Sequence, residues 1–230
     1  MNYAAPAAPH RIDSWFAAAF RLIAALRLRY WIALAFIFSG RAMLPLVADP
    51  AGTSTKLTAA IAILLRFWLP YLLVRAMAGE RRPAAPQRQL LLFIPVALAF
   101  TLVEQALLLL FAPETDPQTL AVLLAAALVT LPLVPLYAGT ATARLSPLER
   151  PWTRALRGAV LPFAAAILAL AAARFALLAL LPPEGTAFTL PVILWNHVRQ
   201  LVVAASLLLF LGLSLAACNR ALLRAREQAG

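Results

Sequence analysis

Five ionisable side chains interrupt long apolar stretches of this sequence: Arg41, Arg66, Glu104, Arg174 and Arg199. Gln105, Asn196 and His197 stand beside them in the chain. Within hydrocarbon such groups are costly, and they mark ion or substrate paths, proton relays or paired structural charges. Four arginines against one glutamate leave surplus positive charge. Glu104 can neutralise one or two of them. The others require backbone carbonyls, lipid phosphates, a bound anion or acids from another subunit. Arg41, Arg66, Glu104, Gln105, Arg174, Asn196, His197 and Arg199 therefore form a candidate intramembrane ligand-binding cluster, suited to an anionic ligand or headgroup. The competing reading is structural. Arginine can carry its charge upward along its apolar stem, and Asn or His can bond to a neighbouring helix.

Catalysis finds little to work with here. Asp13, Asp49 and Asp116 are the only aspartates and none lies in the middle of an apolar run, so a paired-aspartate intramembrane protease is excluded. There is no H-E-x-x-H, no G-x-S-x-G and no phosphate-cradling glycine loop. A lipid-modifying enzyme would need Glu104 and His197 to converge as an acid–base pair. His197 is the only histidine outside the tail, since His10 precedes the first helix, so two axial ligands for a b-type haem are missing. No cofactor or metal is expected; a single tetrapyrrole at His197, shared with a partner, is the one alternative. Cys218 is the only cysteine, which excludes an intrachain disulfide.

The elements that carry these residues are apolar runs. The chain is 63% hydrophobic and 13% charged, with a mean hydropathy of +0.86. A soluble domain is about 45–50% apolar and about 25% charged. Six runs long enough to approach the roughly 20 residues of a bilayer-spanning helix lie at 30–47, 57–77, 90–112, 119–137, 159–181 and 190–218. The alternation of a β-barrel is missing. The expected fold is an all-α, polytopic six-span bundle over 29–220. An N-terminal tail and interfacial helix precede it at 1–28, and a basic tail follows at 221–230. Ile12, Trp15, Phe16, Phe20 and Ile23 recur at helical spacing and predict an amphipathic helix over 12–28, capped by Asp13 or Ser14. It either lies in the interface or extends the first span. Pro70, Pro95, Pro132, Pro135 and Pro162 predict kinks.

Charge orients the bundle. Arg11, Arg21, Arg27 and Arg29 precede the first run. Arg75, Arg81, Arg82 and Arg88 lie around the link after the second, and Arg144, Arg150, Arg154 and Arg157 around the link after the fourth. Arg220, Arg224 and Arg226 close the chain. The alternate links hold Lys56 as their only base, against Asp49, Glu114, Asp116 and Glu184. Fifteen bases against one predict both termini in the cytoplasm. Arginine in place of lysine, with abundant Ala and Leu, fits a GC-rich bacterial coding bias and hence a bacterial inner membrane. The net charge of +11 is therefore a topology signal rather than a nucleic-acid surface. The expected partners are the bilayer, acidic phospholipids, and other membrane subunits or a second copy.

A shared spacing links the runs. Arg41, Glu104 and Arg174 each lie nine residues before a proline of an acidic link, namely Pro50, Pro113 and Pro183. Three helical hairpins, at about 30–77, 90–141 and 157–218, read as copies of one unit. The expected function is that of an accessory, structural or assembly subunit of a membrane complex. The alternative is a small transporter or lipid-handling protein that uses the buried arginines on an anionic ligand. A membrane-lipid enzyme comes third.

Overall fold

A computed structural model describes residues 5, 7–47, 67–80, 89–143 and 156–227. Among these there are helices and no strands. In chain order they are α1 (Ile12–Ala24) and α2 (Leu28–Val47). Then come α3 (Phe67–Met77), α4 (Gln89–Phe111) and α5 (Asp116–Thr130). A 3-10 turn at Leu131–Leu133 leads into α6 (Val134–Ala141). The last two are α7 (Val160–Ala179) and α8 (Leu190–Glu227). Four segments are long and apolar enough to cross a bilayer: α4, the α5–α6 pair, α7 and α8. Counting the bent pair α1–α2 as one more gives five. Of the second apolar run only α3 is described; residues 57–66 lie outside the described residues.

The helical ends gather the arginines. Arg220 near the end of α8 donates to the Arg157 carbonyl just before α7, at 3.1 Å. Tyr71 of α3 meets Phe93 of α4, and Phe93 meets Tyr137 of α6. At the opposite end, Ala42 of α2 lies within hydrogen-bond reach of Asn196 of α8. The core sits toward the arginine end, where Leu211, Leu213 and the run Leu215–Cys218 are fully buried. The long helix explains this. At 1.5 Å per residue α8 is roughly 57 Å long, nearly twice the roughly 30 Å of hydrocarbon. It continues through the basic segment to Glu227 rather than stopping before a separate tail.

α1 differs from its expected form. It meets α2 at 98°, so it is no straight extension of the first span. Its buried stripe is Trp15, Ala18, Ala19, Leu22 and Ile23, whereas Ile12 and Phe20 are exposed. The stripe packs on protein: Trp15 against Phe163 of α7, ring centres 4.6 Å apart, and Ala19 against Gly212 of α8. A Cβ at Gly212 would stand 2.9 Å from the Ala19 Cβ, so this crossing needs glycine. The N-cap is Arg11 rather than Asp13 or Ser14. The Ser14 hydroxyl turns back to donate to the Arg11 and Ala8 carbonyls.

Prolines act unequally. Pro132 lies in the 3-10 turn that divides α5 from α6, and Pro135 follows at the second position of α6. There the Ser214 hydroxyl accepts from the Ala138 N–H and donates to the Val134 carbonyl. Both groups belong to the first turn of α6, so a side chain of α8 fixes the helix that follows the break. α4 remains one helix through Pro95. Pro162 falls in the first turn of α7, where an N–H has no helical partner to lose.

Candidate functional site

Carbonyl oxygens at the end of a helix lack intrahelical donors. At the end of α7 one side chain answers them. Arg199 Nη1 donates to the carbonyls of Leu178, Leu181 and Pro182, at 3.1, 3.3 and 3.0 Å. A cation here also faces the negative pole of the α7 dipole. Arg199 thus has acceptors without any carboxylate.

Asn196, one turn earlier on α8, is 1% exposed. Its amide nitrogen donates to the Ala42 carbonyl at 3.2 Å and to the Gly185 carbonyl at 3.1 Å. Its oxygen accepts from the Gly185 N–H at 3.2 Å. One amide therefore ties α2, α8 and the α7–α8 link together. Gln200 adds a further tie, donating to Glu184 Oε1 at 2.9 Å. The Gln200 Oε1 is buried without a partner. His197 turns inward on its own helix, its Nδ1 lying 2.8 Å from the Ile193 carbonyl. An N–H must occupy that nitrogen, because a carbonyl only accepts.

The other predicted site residues lie elsewhere. Arg41 and Arg174 are exposed on the outside of α2 and α7. Gln105 is exposed on α4, and Glu104 is half-buried. Glu104 continues the inner stripe of α4 formed by Phe93, Ala97 and Phe100, and it has no ion pair among the described residues. Arg66 lies outside the described residues. The common spacing of Arg41, Glu104 and Arg174 thus does not translate into a common environment.

Glu104 and His197 do not converge. Phe100 of α4 contacts Phe210 of α8, ring centres 5.4 Å apart. From that level Glu104 lies one turn toward the far end, and His197 between three and four turns. At 1.5 Å per residue this separates them axially by roughly 13 Å. Proton exchange needs about 3 Å or one bridging water. Among the described residues no cluster of His, Cys, Asp and Glu could hold a metal ion.

A second polar knot escaped the sequence reading. Arg75, counted there only among the orienting arginines, is 1% exposed. Its Nε donates to Glu80 at 2.6 Å, its Nη1 donates to the Tyr71 hydroxyl at 2.8 Å, and its guanidinium lies over the Tyr71 ring. Asn219 and Arg220 are buried at the same end of the bundle. The available signal was the i, i+4 spacing of Tyr71 and Arg75, which places both on one helical face. The arrangement as a whole holds helices to helices and links to helices. Among the described residues it presents no converging set of unfilled donors. Compared with protein-family models, characterised proteins and solved structures, the chain matches none.

Proposed function

We propose that this chain is a non-catalytic integral membrane protein that serves as an accessory or assembly subunit of a larger membrane complex. One observation carries the reading. Of the residues expected to line a ligand site, Asn196, His197 and Arg199 hydrogen-bond to backbone groups, while Arg41, Gln105 and Arg174 are exposed on outer surfaces. Among the described residues, an internal site for a ligand lacks its donors. An outer surface with polar groups set among apolar ones suits another membrane component.

The proposed placement is a bacterial inner membrane, with six spans in three hairpins and both termini cytoplasmic. Support comes from the one-sided distribution of arginine. On this reading α3 is the inner part of the second span, and α1 lies across the cytoplasmic end of α7 and α8.

The test is purification of the full chain from its native membrane into nanodiscs, followed by mass measurement and quantitative proteomics. A stoichiometric assembly is expected. A stable monomer without any co-purifying membrane protein overturns the proposal. A second reading, handling of an acidic phospholipid, draws on the exposure of Arg41 and Arg174. It expects acidic lipid to be enriched in the purified protein and lost in the double variant Arg41→Gln/Arg174→Gln.

A further inference from the structure

α4 has the smallest buried share of the four spanning segments. Its exposed side is not random. Leu91, Pro95, Leu98, Leu102, Gln105 and Leu109 are all exposed, and their spacing runs four, three, four, three, four. At 100° per residue they form one stripe, on the side away from Phe93, Ala97, Phe100 and Glu104. A repeat averaging 3.5 residues is the seam along which two helices pack knobs into holes. Leu102 and Leu109 stand out of the bundle at 62% and 80% exposure. Ala106 lies exposed beside the stripe and allows close approach of a second backbone.

Gln105 is the single polar residue of that seam. It lies six residues before the end of α4, roughly 9 Å inside it. Against lipid its amide would have no partner, and lipid tails reward leucine at that position instead. A single amide in an apolar seam specifies register and oligomer state in coiled coils. The amide is also its own complement, since it both donates and accepts. Two copies of one chain in one membrane share an orientation. A two-fold axis along the membrane normal sets their α4 helices side by side and parallel, and brings like residue against like.

We infer that a second copy of this chain docks on the outward face of α4, with Gln105 paired to the partner's Gln105 across a two-fold axis. The inference deepens the proposed role and rests on it, naming the chain itself as one partner. Seam residues Leu98, Leu102 and Leu109 interleave with their counterparts above Pro95.

The experiment uses the full chain with Cys218→Ala, reconstituted in phosphatidylcholine/phosphatidylglycerol vesicles. Leu102→Cys and Leu109→Cys variants should form disulfide-linked dimers on mild oxidation. Leu161→Cys, exposed on α7 at 83%, should not. With Glu227→Cys, at an exposed position, added to the Cys218→Ala chain and labelled, energy transfer between chains on serial dilution in lipid reports affinity. Gln105→Leu should weaken association roughly three- to thirtyfold, whereas Gln105→Asn should retain most of it. Monomers at every density, or cross-links at position 161 but not at 102 and 109, overturn the α4 dimer. If position 102 instead captures a different protein in native membranes, this inference falls while the proposed subunit role stands. A monomer that also lacks any native partner removes both.

Discussion

Arginine in a membrane helix is usually read through its charge, yet Arg199 is explained by acceptor geometry. Three carbonyls at one helix end surround one guanidinium nitrogen, and no carboxylate is needed. Asn196 works in the same way, with three backbone groups on one amide. Asn196→Ala removes these partners together. The expected loss is about 1–3 kcal/mol, read as a lower midpoint in thermal unfolding in detergent. The α7–α8 link should also become more accessible to protease around Gly185. Arg75 is the stricter case, because its removal leaves Glu80 and the Tyr71 hydroxyl behind. Arg75→Leu should destabilise toward the low end of roughly 3–5 kcal/mol, since Glu80 retains 26% exposure. The double variant Arg75→Leu/Glu80→Gln should recover part of that loss in the same assay.

Between elements, the tightest constraint is the crossing of α1 over α8. The space at Gly212 is bounded by the Cα, Cβ and carbonyl oxygen of Ala19, all within 3.1 Å of a prospective Cβ. Backbone cannot move aside as a flexible side chain can. Gly212→Ala should therefore cost about 1–3 kcal/mol and loosen α1. The checks are thermal unfolding and the emission of Trp15, which packs against Phe163 in this region. Gly40 on α2 has nothing within 4 Å of its prospective Cβ. Gly40→Ala, a gain in helix propensity, should leave stability unchanged or slightly raised. Equal effects of the two substitutions would show that α1 does not pack on α8 in this way.

For the whole molecule, orientation is the decisive property. Cysteine labelling in intact spheroplasts tests it, with Cys218→Ala as background. Cysteines at Thr115 and Thr186 should react with an impermeant maleimide. Cysteines at Ala84, Ser146 and Glu227 should react only after permeabilisation. Labelling of Ala84 with protection of Thr115 would mean an inverted bundle. Labelling of Thr53 and Ala84 from one side would mean that the second apolar run is not a span, and the three-hairpin repeat would fall with it.

Helical class and the one-sided arginine pattern were legible from the chain because both are local quantities. Hydropathy adds along a run, and charges are counted between runs. Azimuth does not follow from counting. Whether Arg174 faces out and Glu104 partly in depends on which neighbour covers each face. Arg199 could find its carbonyls only once the end of α7 lay against α8. Trp15, Phe16 and Phe20 looked like one apolar face of α1, but the packing of α7 and α8 buried Trp15 and left Phe20 outside. Tyr71 and Arg75 shared a face by spacing alone, yet their burial came from the packing around α3 and α4. A sequence states which groups need partners; only the packed bundle brings acceptors within hydrogen-bond reach and decides which needs are met inside the chain.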